Sequence, residues 1–165
     1  MQDNSATAMG MNGAFYSTYT HALDKKGRVS VPSAFRRVLK ASKQTGIYCC
    51  PSVNGQALDA GGSAFQSTLR DALLVPNLSW ADRDYLETVI FGQSDFLKID
   101  SEGRIALPDM LTRAADLRTD VIFVGKGNRF QLWAPNRYAD HLKSAQRRAS
   151  EIWSDPAPNS VRMDT

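Results

Sequence analysis

The stretch DKKGRVSVP (24–32) recurs as DSEGRIALP (100–108), and this repetition constrains the fold more than any other feature of the 165-residue chain. Positions 24 and 100 lie 76 residues apart, and the same offset aligns Phe15 with Phe91, Leu23 with Ile99, Phe35 with Leu111 and Arg37 with Arg113. A period of that length is too long for a solenoid, whose repeats run to a few tens of residues. In a chain of this size it fits a fused pair of small pseudo-symmetric units sharing one core.

Each copy reads the same way. Asp at the first turn position and Gly at the fourth favour a type I turn closed by a residue at positive φ. Before the turn lie the β-leaning stretches YSTYTHAL (16–23) and SDFLKI (94–99). After it, Val29/Val31 and Ile105/Leu107 alternate with Ser30 and Ala106, the period of a half-buried strand. Each copy is therefore expected to open as a tight hairpin. Pro32 and Pro108 end the second strand and suit the first turn of a helix. The helix in PSAFRRVLKAS (32–42) would bury Phe35, Val38 and Leu39 and leave Arg36, Arg37 and Lys40 more exposed; Leu111, Ala114 and Ala115 repeat the apolar pattern.

Further strands are expected at GIYCC (46–50) and VIFVGKGNRFQLW (121–133), the latter a hairpin turning at 125–128. Helices are expected over 63–74, over 79–92 behind a Ser79/Asp82 capping arrangement, and from Pro135 to about Trp153 with Tyr138, Leu142, Ala145, Ala149 and Ile152 along one face. The resulting organisation is a disordered tail (1–12), a first repeat (13–76), a linking helix with second repeat and C-terminal helix (77–153), and a second disordered tail (154–165).

Composition narrows the function classes. No apolar run approaches the ~18 residues of a membrane span, and the N-terminus has no secretory pattern, so a cytoplasmic protein without membrane partners is expected. Cys49 and Cys50 are adjacent and fit no redox or zinc spacing; they read as small buried residues on a strand. Residues 1–76 carry eight Lys/Arg against four acids, and seven of those bases fall between 25 and 43, so any polyanion-binding surface is expected on the first half.

The doubled D-x-x-G-R-[VI]-x-[VL]-P pattern, followed by VGKGNRFQLW (124–133), resembles the MraZ family, which carries two AbrB-type repeats; the likeness spans roughly residues 13–153. The most specific part is the D-x-x-x-R signature, here Asp24/Arg28 and Asp100/Arg104. The resemblance implies an α+β fold, a pseudo-two-fold AbrB/MraZ-like β-barrel with peripheral helices. It also implies a nucleoid-associated transcriptional repressor of the division and cell-wall gene cluster including its own gene, binding tandem short repeats of double-stranded DNA as a ring-shaped homo-oligomer. One stretch departs from the family pattern: QALDAGGSAF (56–65) stands where an LxLYP-like strand is usual, so the first half's outer strand is expected to be shorter or altered.

For Arg28 and Arg104 two readings coexist, a bond back to Asp24 or Asp100 that shuts the turn, and contact with DNA. Arginine offers a planar donor fork to phosphates and to the guanine edge. With Lys25 and Lys26 beside it, Arg28 is the favoured DNA contact; Ser101 and Glu102 beside Arg104 favour a structural or subunit-contact role there. Arg36 and Arg37 fit phosphate contacts and an ordinary solvated helix face equally. The lysines would set affinity and Arg28 specificity.

Enzymatic readings find little support. His21 and His141 belong to no nucleophile or H-E-x-x-H pattern, and no phosphate loop or metal-spaced cluster is present, so no catalytic residue, cofactor or metal is expected. The alternative class is a non-DNA-binding scaffold or antitoxin-like interaction module built on the same turn.

Overall fold

The computed structural model describes residues 13–155. Their organisation is α+β, with eight strands and five helices among the described residues. The expected disordered tails at 1–12 and 156–165 lie outside the described residues, and Ser154, counted with the second tail, is the last residue of the C-terminal helix.

The first repeat gives β1 (Thr18–Ala22), β2 (Arg28–Ser30), α1 (Ser33–Ala41), β3 (Gly46–Pro51), β4 (Leu58–Gly61) and α2 (Ser63–Ala72). A linking helix, α3 (Trp80–Ile90), starts where expected, with the Ser79 hydroxyl accepting from the Asp82 amide at 3.1 Å. The second repeat gives β5 (Asp95–Lys98), β6 (Arg104–Ala106), α4 (Asp109–Ala114), β7 (Asp120–Gly125), β8 (Phe130–Trp133) and α5 (Pro135–Ser154). In place of the shorter or altered outer strand expected from the departure at 56–65, the strand there, β4, lies inside the sheet between β8 and β3 and has four residues, as β8 does.

The turns form as expected, but the hairpins do not. The Asp24 amide donates to the Arg28 carbonyl at 2.9 Å and Gly27 takes φ +77°, yet the ladder across the turn goes no further. Instead β1 pairs with β7, and β2 crosses to pair with β6 of the other repeat. The six-stranded sheet runs β1-β7-β8-β4-β3-β5, and β2-β6 is a separate two-stranded ribbon, so the ladders end at β1 and β5 rather than closing on themselves. Side-chain alternation specifies which face of a strand is buried but not which strand lies beside it, and the exchange lets each half cover the other's apolar face.

The pairing is pseudo-two-fold. In the ribbon Val29 opposes Ile105, and the flanking bonds match, Val31 N–H to the Gly103 carbonyl at 2.9 Å and Leu107 N–H to the Gly27 carbonyl at 2.8 Å. At the middle of the large sheet Leu58 opposes Leu132. Between ribbon, sheet and α1 lies the core, with Val29, Val31, Ile105, Leu107, Ile47, Leu58 and Leu132 packed around aromatic rings. Phe35 of α1 is fully buried, its ring centre 5.3 Å from Phe15 and 4.9 Å from Phe130. Truncating such a ring to Ala typically costs about 3–5 kcal/mol. Cys49 faces this core, while Cys50 sits opposite Asp59; both are free and buried, as the bland reading expected. Burial pushes the Cys50 thiol up to about 12 and the Cys49 thiol well above its ordinary value.

Candidate nucleic-acid interface

Because β2 and β6 are antiparallel and side chains alternate across a strand, Arg28, Ser30, Arg104 and Ala106 share the ribbon's outer face, opposite the buried Val29 and Ile105. Arg28 opposes Ala106, and Arg104 opposes Ser30. The two signature arginines, read from sequence as the tips of separate hairpins, thus lie on one small face, offset by two residues along the ladder, or about 7 Å. The turns stand at opposite ends of the ribbon. From Gly27 to Val31, which bonds to the second turn, is four residues of near-extended chain, about 13 Å, close to four base-pair steps along one DNA strand.

Each turn is held by its aspartate. Asp24 Oδ1 accepts from the amides of Lys26 at 2.9 Å and Arg28 at 2.8 Å, and Oδ2 accepts from Arg28 Nε at 2.7 Å. Asp100 repeats this with the amides of Glu102 and Arg104, both at 2.9 Å, and with Arg104 Nε at 3.2 Å. The amide of the signature arginine, foremost among these donors, holds each carboxyl below its ordinary value. The aspartates therefore shape the turns and aim the arginines.

The two arginines differ in what remains free. Arg28 spends only Nε on Asp24, and among the described residues its terminal nitrogens have no hydrogen-bond partner, so the outer edge of the fork is open. Arg104 also gives a terminal nitrogen to Glu102 Oε2 at 3.2 Å. Lys25 and Lys26 are exposed beside Arg28 and make no ion pair. The first turn, 24–28, carries net +2 and the second, 100–104, net −1.

The helix cations divide. Arg37 is exposed on α1 and contacts none of the turn residues by hydrogen bond or ion pair. Arg36 turns back, its Nε donating to the Val31 carbonyl at 3.1 Å and its guanidinium lying over Gly103, so this residue, though exposed, also braces the second turn. Beside it opens a cleft lined by Lys40 and Lys98 together with Gln44, Asp100 and Ser101. Lys98 was not singled out from sequence. The available signal was the repeat alignment, in which it replaces Ala22.

The histidines have packing roles. His21 meets Phe123 edge-on at 5.8 Å, and His141 stacks on the buried Trp133 at 4.4 Å, where burial, then the charge of Lys126, lowers its pKa. Among the described residues no His/Cys/Asp/Glu group has metal-ligating spacing, and no helix is long and apolar enough to cross a membrane.

Comparison with known proteins bears on the family. A family model described as "MraZ protein, putative antitoxin-like" matches residues 14–48 and 90–155, which include both signature turns. A protein of Beijerinckia indica named "Transcriptional regulator MraZ" is 38% identical over 150 residues, covering 91% of this chain and 92% of the relative. Proteins of the same name from Xanthobacter autotrophicus and Methylocella silvestris are 42% and 40% identical, covering 84% of this chain and 88% and 84% of theirs. The chain belongs to the MraZ family.

Proposed function

We propose that the chain is a DNA-binding transcriptional regulator that lays the outer face of the β2–β6 ribbon on duplex DNA, with the first turn leading. The observation that carries this reading is the open guanidinium of Arg28, fixed by Asp24 on an outward face beside two exposed lysines of the same turn. Such a fork suits bidentate contact with a guanine edge, and Lys25 and Lys26 suit flanking phosphates. The relatives named transcriptional regulators support the same role.

The finer reading has the two sheets act as one pseudo-two-fold AbrB/MraZ-type barrel, several copies assemble into a ring, and the ring engages tandem short repeats. The DNA would lie upstream of the division and cell-wall gene cluster including the protein's own gene, repressed in a nucleoid-associated complex in the cytoplasm. Exposed apolar surface supports assembly: Trp80 of α3 is 87% exposed and Trp153 of α5 80%, and Leu142 and Ile152 are also exposed along α5. A contact between unlike patches closes into a ring when its rotation allows. One finger binds weakly, but linked copies on tandem sites bind tightly because later contacts are effectively intramolecular.

Arg28→Ala is expected to abolish specific binding to the region upstream of the gene in a gel-shift titration while size-exclusion chromatography shows an unchanged oligomer. Full affinity in the variant would refute the role of Arg28. Failure of the unaltered protein to bind any duplex at low salt would favour the antitoxin-like interaction module instead.

A further inference from the structure

The second turn carries net −1, yet the cleft beside it gathers cations from elsewhere in the chain. Arg36 and Lys40 come from α1, and Lys98 from the end of β5. None of the three pairs with a carboxylate among the described residues, whereas Asp100, the acid in the lining, is committed to Arg104 and to two backbone amides. The cleft's net charge is therefore +2. Gln44, Thr45 and Ser101 add neutral donors, and the volume of about 380 Å³ is several times that of a phosphate-sized group.

The pseudo-symmetry shows that this clustering is not a by-product of the fold. At the equivalent places around the first turn, Arg36 is matched by Thr112 and Lys98 by Ala22. One half keeps its cations on the turn, and the other keeps them around it. Arg36 is also held in place by its bond to the Val31 carbonyl and its seat over Gly103, so part of the site is organised before any ligand arrives.

We propose that this cleft is a second phosphate-binding site, taking a backbone phosphate of the same duplex whose bases face Arg28; this rests on the DNA-binding reading above. The second turn thereby touches DNA through its neighbours rather than through its own loop. With the lysine pair at one end of a ribbon about 13 Å long and this cleft at the other, the protein grips the backbone on both sides of the arginine face. Contacts of this kind fix register and affinity without reading sequence.

The test is fluorescence anisotropy of the full chain with its upstream duplex and with a scrambled duplex, across a salt series. It compares the unaltered protein, Arg28→Ala, the double variant Lys40→Ala/Lys98→Ala, and Lys143→Ala on α5 as a control. Loss of this one phosphate contact should flatten the slope of log K against log salt by about 0.9 and weaken both duplexes alike. Arg28→Ala should chiefly reduce the preference for the upstream duplex, and Lys143→Ala should change nothing. An unchanged slope in the double variant, with the unaltered protein still binding, overturns the cleft and spares the DNA reading. No binding by the unaltered protein overturns both. Calorimetric titration with inorganic phosphate separates a free anion from the DNA backbone. Saturable binding lost in the double variant, with an unchanged DNA slope, would assign the cleft to a soluble phosphate and overturn the proposal.

Discussion

Substituting the turn glycines separates backbone geometry from what the turn touches. Gly27, Gly103 and Gly127 adopt φ of +77°, +80° and +80°. Forcing an L-residue into left-handed backbone costs about 1–2 kcal/mol. At Gly127 a Cβ meets nothing within 4 Å, so Gly127→Ala should show that cost alone, a melting-temperature loss of about 2–8 °C for a chain of this size. At Gly103 a Cβ would stand 2.7–2.9 Å from the Arg36 guanidinium, which must leave and surrender its bond to Val31, worth about 0.5–1.5 kcal/mol. Gly103→Ala should therefore cost about 1.5–3.5 kcal/mol, or about 3–14 °C. The excess over Gly127→Ala should vanish in an Arg36→Ala background, a double-mutant cycle read by thermal melts followed by circular dichroism. An equal cost with and without Arg36 would refute the bracing of the second turn by that side chain. At Gly27 the obstacle is the Leu107 carbonyl at 3.0 Å, which cannot swing aside, so Gly27→Ala should exceed Gly127→Ala whatever stands at position 36.

Three further outcomes follow from the titratable groups. Asp24 has a folded pKa below its unfolded value, so its contribution is present above the unfolded value and lost as pH falls through the folded one; carboxyl-detected NMR should find its midpoint below the ordinary 3.8, and Arg28→Ala should raise it. His141, also depressed in the folded state, stabilises the seat of α5 above pH 6.5 and loses that contribution as pH falls toward its folded pKa; its ring proton should titrate below 6.5, and a midpoint at or above 6.5 would contradict the packing on Trp133. Cys49 and Cys50 should resist a thiol reagent at pH 8 until the protein unfolds, and rapid labelling of the native chain would show that β3 opens readily.

Much of the local structure was legible because its signals are local. Pro32 and Pro108 marked where strands give way to helices, Ser79 marked the start of α3, and Asp24 with Gly27 marked a turn that forms as read. The exchange of β2 and β6 was not legible, because Val29-Ser30-Val31 announces a half-buried strand and is silent about its neighbour. The same gap hid the site's layout. Arg28 and Arg104 were recognised individually, but only the ladder between β2 and β6 places them on one face. For Arg36 the sequence left phosphate contact and a solvated helix face equally open and was silent about its seat, because Gly103 lies 67 positions away in the chain.

The exchanged ribbon also has a kinetic meaning. Val29 cannot meet Ile105 until 75 intervening residues have been drawn into a loop, and the β4–β8 pair closes a loop of similar span at Leu58 and Leu132. Entropy lost in closing such loops must be spent before the contacts they permit can repay it, which slows folding into the range of high contact-order proteins. Neither repeat has a complete core to nucleate alone, so the halves should fold as one cooperative unit. Two separately expressed fragments, cut between α2 and α3, should be unstructured apart and recover structure on mixing.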